Sequence, residues 1–285
     1  MSVVVLLLLL LPVGLVPGGH VKPAVDGAAH VLLFALLAWM WGPLVPRRRR
    51  GWTLWLAVAA TAALVEALQA GFGRSAEVVD WLYGAAGAAW VCATWRMRKS
   101  GVRAAGMALV VAFPLVWQAV MLAQEVRAFP VLATPDAVWA GRGWLENGGH
   151  LRREAKGFRF TPDPQQAGSA SYPGVFREPA VRDWRQMVAL NSAIYWPETS
   201  PAIMGVRVDD RRGNPPYAER FQREFAVTQG WNRIQIPVAD LSRTSGGRPF
   251  QLDHVVHWGV FLVSDVTTDY FLIRSVQLRM PEEQP

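Results

Sequence analysis

Five apolar segments dominate the first 125 residues, and few polar positions separate them. A helix that crosses the hydrocarbon core of a bilayer needs about 20 predominantly apolar residues. The pattern therefore predicts an α-helical transmembrane bundle of about five helices. The segments cover residues 1–16, 27–45, 52–69, 78–95 and 104–123.

The first segment, Met1 to Val16, is short for a membrane span and has two interpretations. A secretory signal peptide begins with basic residues and ends at a small-residue cleavage site. Neither feature flanks this segment. We therefore favour a retained first helix over a cleaved signal peptide.

Beyond Glu125 the chain changes to short runs in which apolar and polar residues alternate. Pro130, Pro135 and nearby small polar residues predict a linker over 126–138. Alternation of period two between turn signals is typical of β-strands, so residues 139–285 are predicted to form an antiparallel sandwich or jelly roll. The predicted strands are Gly157–Thr161, Met187–Tyr195, Ala202–Val208, Arg220–Ala226, Asn232–Pro237, Val255–Val263 and Tyr270–Met280.

Basic charge is concentrated in the helical part. Residues 1–125 hold ten Lys/Arg against five Asp/Glu, whereas residues 126–285 hold nineteen against seventeen. The excess lies in two interhelical clusters, Arg47 to Arg50 and Arg96 to Arg103. Loops rich in Lys and Arg stay in the cytoplasm. Both clusters lie there only if the N-terminus is cytoplasmic and five helices cross. This predicts a multi-pass protein of the bacterial inner membrane with a periplasmic C-terminal domain.

Several classes of chemistry find no support in the sequence. No basic run has the spacing of a nucleic-acid-reading motif, so no nucleic-acid partner is predicted. The single Cys92 excludes a disulfide framework, and no Cys/His set has zinc-ligand spacing, so no metal ligand is assigned. The G-x-S-x-G, P-loop and H-E-x-x-H motifs do not occur either.

Polar residues at the predicted outer ends of the helices form the main candidate site. Ionisable residues within membrane helices are costly and usually mark function. Asp26 and His30 are four residues apart and therefore share one helix face. Glu66 and Gln69 are three residues apart and share a face of the next helix. All the candidates fall at one predicted leaflet, which favours a shared binding pocket. They are Asp26, His30, Glu66, Gln69, Arg74 and Asp80.

The order of these residues resembles the VanZ-like family of small membrane proteins over about residues 5–95. The resemblance rests on Asp26-x-x-x-His30, Glu66-x-x-Gln69, Arg74, and Asp80 leading into a glycine-rich helix. Two positions depart from the family pattern: Gly27 stands where Lys is usual, and Gly84 where Asn is usual. The family is associated with glycopeptide-antibiotic resistance. The resemblance therefore implies a place in the cell envelope.

The C-terminal part resembles the galactose-binding-type jelly rolls of carbohydrate-binding modules. The resemblance rests on 217–241, 252–262 and 271–278, where a strand, a Gly-Trp-Asn turn, a second strand and an Asp-Leu turn follow one another. It implies glycan contacts through exposed tryptophans, for which Trp184, Trp196 and Trp231 are the candidates; a place in the core is the alternative. Acidic turn residues are candidate Ca²⁺ ligands, with ordinary turn acids as the alternative: Asp209, Asp210 and Asp240.

Together these features favour a membrane-anchored protein that binds an envelope glycan, lipid headgroup or glycopeptide. The lipid bilayer and an envelope glycan or lipid-linked precursor are its expected partners. Two alternatives stay open. One is an enzyme acting on lipid-linked envelope precursors, with Glu66, Asp80 and His30 as candidate catalytic residues. The other is a structural protein whose sandwich docks another protein. The sequence favours binding over catalysis.

Overall fold

The computed structural model describes residues 22–46, 51–71, 78–95, 97, 100–141, 143–163, 172–263 and 268–281. The chain divides into two compact units, 1–120 and 121–285, here called the helical unit and the sandwich unit. The division falls within the last helix. The four described helices are α1 (Lys22–Trp41), α2 (Trp52–Gly71), α3 (Val78–Thr94) and α4 (Ser100–Ala128).

These helices coincide with the second to fifth predicted segments, and the first predicted segment lies outside the described residues. About five helices are therefore not confirmed. Two stretches are long and apolar enough to cross a membrane, Ala24–Leu44 and Gly101–Ala128, while the apolar stretch Trp52–Leu68 is shorter. Length and composition are the basis for these two assignments.

Glycines on α3 let it pack closely against α1. A Cβ at Gly87 would lie 2.2 Å from the carbonyl oxygen of Val31, and one at Gly84 would lie 2.5 Å from the ring of Phe34. Any larger residue would force the helix backbones apart. The small residues of α3 thus form its contact face with α1.

The sandwich unit consists of two antiparallel sheets. The six-stranded sheet has the order β3-β4-β11-β6-β9, with β1 also paired to β11, and the five-stranded sheet has the order β2-β5-β10-β7-β8. The strands are β1 (Val131–Ala133), β2 (Trp144–Asn147), β3 (Gly149–Glu154), β4 (Gly157–Pro162), β5 (Gly174–Arg177), β6 (Ala189–Trp196), β7 (Ala202–Asp209), β8 (Phe221–Val227), β9 (Gly230–Pro237), β10 (His257–Leu262) and β11 (Phe271–Arg279).

The strand order identifies the sandwich as a jelly roll. Strands β4 to β11 are divided equally between the sheets, β4-β11-β6-β9 in one and β5-β10-β7-β8 in the other. Counted from one to eight, they give 1-8-3-6 facing 2-7-4-5, the arrangement of two interlocked Greek keys. The predicted all-β sandwich is therefore confirmed.

All seven predicted strands are present with small shifts at their ends. The four strands not predicted are β1, β2, β3 and β5. Strand β1 and the end of α4 occupy part of the segment 126–138, which is predicted to be a linker. Val131 pairs there with Gln277 of β11.

The end of α4 belongs to the sandwich unit through packing and a buried ion pair. Met121 joins the apolar core of the sandwich. The guanidinium of Arg177, 1% exposed, donates from Nη2 to Glu125 Oε2 at 2.9 Å. Burial lowers the pKa of Arg177, and the neighbouring Glu125 carboxylate opposes this shift.

Candidate functional site

A groove runs over the face of the five-stranded sheet that points away from the core. Strand pairing places one residue from each strand in a single row across it. Their neighbours along the strands, such as Trp258 and Val206, point into the core instead. The groove encloses a cavity of about 380 Å³. In sheet order the row is Leu145, Phe176, Gly259, Arg207 and Gln222.

Glycines allow aromatic rings to lie over this sheet. A Cβ at Gly259 would lie 2.2 Å from Cδ1 of Phe176, and one at Gly205 would lie 2.2 Å from Cζ of Phe261. The rings therefore occupy the space that side chains at these positions would fill. Phe261 is 2% exposed, whereas Phe176 is partly exposed and lines the cavity. Phe176 thus provides an apolar floor.

An arginine–aspartate pair forms one wall of the groove. Arg207 Nε donates to both carboxylate oxygens of Asp209 at 2.9 Å, and its Nη1 donates to Asn214 Oδ1 at 3.0 Å. The guanidinium carbon also lies 5.5 Å from the centre of the Phe176 ring. Burial raises the pKa of Asp209, although Arg207 and His257 act in the opposite direction. The wall is thus a preorganised set of hydrogen-bonding groups.

Two further polar groups line the cavity and have unused hydrogen-bonding atoms. Among the described residues, Arg220 Nε and Gln222 Oε1 are buried and have no hydrogen-bond partner. Burial, with the positive charge of Arg207 as the next cause, lowers the pKa of Arg220. A buried donor or acceptor without a partner costs about 1–3 kcal/mol. The two side chains therefore bring polar groups to the cavity wall at a cost in stability.

Tyr172 lies beside this floor in an unusual backbone conformation. Its φ is 79°, in the left-handed region that a bulky residue seldom adopts. The Asn147 side chain donates to the Tyr172 carbonyl oxygen at 2.9 Å. The phenol ring packs edge-on against Phe261, with the ring centres 5.5 Å apart, and it remains 43% exposed. Strained residues of this kind concentrate at ligand sites.

Two of the three tryptophans that were predicted to contact a glycan lie in the core instead. Trp184 and Trp196 are each 0% exposed, so neither ring offers a face to a ligand, and their indole N–H groups donate to backbone carbonyl oxygens. Trp231 is 46% exposed and lies on β9 of the other sheet, with its ring centre 5.4 Å from that of Tyr195. The aromatic face of the groove comes from Phe176, which is not among the predicted contact residues.

The acidic residues considered for Ca²⁺ are bound to arginines. Asp209 accepts from Arg207, as described above. Asp210 accepts two hydrogen bonds from Arg248, at 2.9 and 2.7 Å, and Asp240 pairs with Arg223. Their oxygens point to three different guanidinium groups. The three carboxylates therefore do not form a shared Ca²⁺ site.

The helical unit brings three of its six predicted site residues together. His30 of α1, Glu66 of α2 and Asp80 of α3 each offer a ligand atom, and these atoms lie within 4.8 Å of one another. His30 Nδ1 faces the backbone carbonyl oxygen of Asp26 at 2.9 Å. Gln69 lies near the C-terminal end of α2, and Arg74 lies outside the described residues.

Comparisons with solved structures give distant matches to the sandwich unit. PfGH50B matches 53% of this chain at 14% identity with a TM-score of 0.41, and this chain covers 23% of that protein. A family 11 carbohydrate-binding module from Clostridium thermocellum, in complex with a β-1,3-1,4-mixed-linked tetrasaccharide, matches 50% of the chain and is 88% covered, at 13% identity and a TM-score of 0.35. The CBM22-1 xylan-binding domain of Paenibacillus barcinonensis Xyn10C matches 50% and is 88% covered, at 14% identity and a TM-score of 0.34.

No protein-family model matches the chain, and no curated protein does. The VanZ-like resemblance of the helical unit therefore stays a prediction from its motifs. The assignment of the sandwich as a jelly roll follows from its strand order.

Proposed function

We propose that the protein binds a glycan in the groove of its five-stranded sheet and is held in a membrane by its helical unit. The groove carries this proposal. A sugar ring has an apolar C–H face and a rim of hydroxyl groups. The C–H face can stack on an aromatic ring such as that of Phe176. The hydroxyl groups of the sugar can form hydrogen bonds with the polar side chains of the cavity wall, Arg207, Arg220 and Gln222.

The apolar surface of α4 supports the membrane part of the proposal. In the helical-unit portion of this helix, Leu109 is 74% exposed, Val116 59% and Phe113 56%. Exposed apolar surface on this scale would be costly in water and is the ordinary state of a helix in lipid. The lipid bilayer is therefore the proposed partner of this surface.

The location that we propose is the bacterial inner membrane, with the sandwich in the periplasm. The two basic interhelical clusters support this orientation because such loops stay in the cytoplasm. The glycan would then belong to the cell envelope. This agrees with the implication of the VanZ-like resemblance.

A rival function is catalysis on a lipid-linked envelope precursor in the helical unit. The convergence of His30, Glu66 and Asp80 favours this alternative, since it gathers an imidazole and two carboxylates. Glu66 and Asp80 would act as acid and base in that case. Within the described ranges, no comparable feature supports the protein-docking alternative.

The test is binding of envelope polysaccharides and peptidoglycan fragments to the full chain in detergent, measured by calorimetry. Phe176→Ala should weaken binding about tenfold, because one aromatic stacking contact contributes about 1.4 kcal/mol. Gln222→Ala should give a smaller loss. Folding of each variant is checked by its thermal transition.

Trp231→Ala is the matched control, since it removes an exposed aromatic ring from the opposite sheet. Unchanged affinity in this variant places the glycan on the five-stranded sheet. Loss of binding in Trp231→Ala but not in Phe176→Ala would transfer the site to the other face. Absence of binding to every glycan would reject the proposal.

A further inference from the structure

The cluster of His30, Glu66 and Asp80 contains an orientation of the imidazole that points to a ligand. His30 is 6% exposed, and its two nitrogens have different neighbours. Nδ1 lies 2.9 Å from the carbonyl oxygen of Asp26. A carbonyl oxygen only accepts hydrogen bonds, so Nδ1 carries the proton. In the neutral ring, Nε2 is then the lone-pair nitrogen.

That lone pair is directed toward another electron-rich atom. Nε2 of His30 lies 3.5 Å from Glu66 Oε1, and within the described part of the chain it has no hydrogen-bond partner. A charge-assisted hydrogen bond would be shorter, about 2.7–2.9 Å. Two facing lone pairs repel each other unless a cation lies between them.

The separation fits two ligands of one metal ion. With metal–ligand bonds of about 2.0–2.1 Å, two atoms of a tetrahedral site lie about 3.4 Å apart. The distance of 3.5 Å between His30 Nε2 and Glu66 Oε1 agrees with this value. Asp80 completes a set of three ligand atoms, one from each residue, that lie within 4.8 Å of one another. A histidine that binds a metal through one ring nitrogen usually donates a hydrogen bond from the other, which sets the orientation of the ring. The contact from Nδ1 to the Asp26 carbonyl oxygen matches that hydrogen bond.

We propose that His30, Glu66 and Asp80 bind a divalent first-row transition-metal ion, with Zn²⁺ as the principal candidate. Imidazole nitrogen is a ligand for Zn²⁺ rather than for Ca²⁺ or Mg²⁺, which take oxygen ligands. Three protein ligands leave a fourth position for water or an anionic oxygen of a ligand. The three ligands come from three helices, so the ion also ties α1, α2 and α3 together. The site stands independently of the glycan groove.

The experiment uses the full chain purified in detergent and stripped of metal with a chelator. Co²⁺ replaces Zn²⁺ as a spectroscopic probe, since its visible absorption reports coordination number and ligand type. We expect one equivalent of Co²⁺ to give a four-coordinate spectrum that Zn²⁺ abolishes by displacement. Glu66→Gln and His30→Gln should each weaken Co²⁺ binding by about 100-fold or more, and Asp80→Asn should also weaken it.

His150→Gln is the matched control. His150 also lies 3.5 Å from a glutamate, Glu146, but its side chain is 63% exposed. This variant should bind Co²⁺ as the unaltered protein does. Cys92→Ser controls for thiolate ligation, and a sulfur-to-metal absorption band that disappears in it would overturn the assignment.

Metal binding by the unaltered protein is enough to decide the question, so the test does not depend on the folding of a variant. No stoichiometric binding of Co²⁺ or Zn²⁺ would overturn the proposal and leave His30 and Glu66 as a buried polar contact without an ion. Equal binding by folded Glu66→Gln and the unaltered protein would overturn it as well. The glycan affinity of the sandwich is not involved in either result.

Discussion

The sandwich unit and the helical unit bury acidic side chains in different ways. In the sandwich unit, the buried carboxylates of Glu125, Asp209 and Asp210 each accept hydrogen bonds from an arginine. In the helical unit, Glu66 faces His30 and lies beside Asp80. A guanidinium is a permanent cation, whereas an imidazole is neutral or charged and is also a metal ligand. The first arrangement stabilises a fold, and the second can bind an ion.

The largest expected effect comes from breaking the Glu125–Arg177 pair. Arg177→Leu leaves the Glu125 carboxylate buried without its guanidinium, which should destabilise the sandwich by about 3–5 kcal/mol. The measurement is denaturant unfolding of the full chain, followed by the near-ultraviolet signal of the sandwich tryptophans.

The double variant Glu125→Gln with Arg177→Leu is the control, because it removes both charges. We expect it to regain a large part of the lost stability. A double variant as unstable as Arg177→Leu would show that packing of the arginine, with its two neighbouring tryptophan rings, matters more than its charge.

A second prediction separates the two buried glutamates by their response to metal. Zn²⁺ at about 100 times its dissociation constant should stabilise the unaltered chain by about 2.7 kcal/mol. Glu125→Gln should keep the increase in melting temperature on adding Zn²⁺, and Glu66→Gln should lose it. An equal increase in both variants would remove the distinction between the two units.

A third prediction concerns the neighbouring residues Asp209 and Asp210. Burial raises the pKa of Asp210, but hydrogen bonds from Arg248 and from the Gln251 backbone outweigh it, so the net shift is downward from 3.8. The stabilisation from a lowered pKa is present above 3.8 and is lost as the pH falls through the folded-state value. Asp210→Asn should therefore cost about 1.5–3 kcal/mol at pH 7, and its difference from the unaltered protein should shrink in acid.

For Asp209 the sign is opposite. Burial raises its pKa above 3.8, so its ionisation costs folded-state stability as the pH rises through that interval. Asp209→Asn, whose side-chain oxygen still accepts from Arg207, should lose less stability at pH 7 than Asp210→Asn. Unfolding of both variants at pH 7 and pH 3 compares them, and the reverse order at pH 7 would contradict the prediction.

The smallest expected effect is at the exposed His150–Glu146 pair. His150→Gln should change the unfolding free energy by less than about 0.5 kcal/mol, since exposed ion pairs contribute little. A melting curve of the full chain measures this. A larger change would mean that a separation of 3.5 Å between histidine and glutamate is stabilising even at the surface.

The fold was largely predictable because its helices are long, nearly uninterrupted apolar segments and its long strands show the alternation of period two. The strands not predicted are short or polar: β3, with the sequence GHLRRE, has few apolar residues, and β5 has four residues beginning at Gly174. The tie between β1 and β11 arises from tertiary pairing, which local periodicity does not encode.

The candidate sites were predictable only in part. His30, Glu66 and Asp80 lie close together, as three of the six residues of the predicted pocket, while the role of that pocket stays a prediction. The groove was not predicted because tryptophans were expected to provide the glycan contacts. Two of the three are buried and offer no ring face to a ligand. The useful signal was the glycines at 205 and 259, interior to strands where a glycine is otherwise unfavourable. Such glycines mark close approach of another group.

These two glycines mean that the shape of the proposed binding surface depends on positions that a glycan need never touch. A single methyl group at 259 would meet the Phe176 ring, and one at 205 would meet Phe261. Each would tilt or lift an aromatic surface while leaving every polar contact residue unchanged. If the groove binds the proposed glycan, substitutions at these two positions would change its ligand preference gradually, and a comparison of contact residues alone would overlook them.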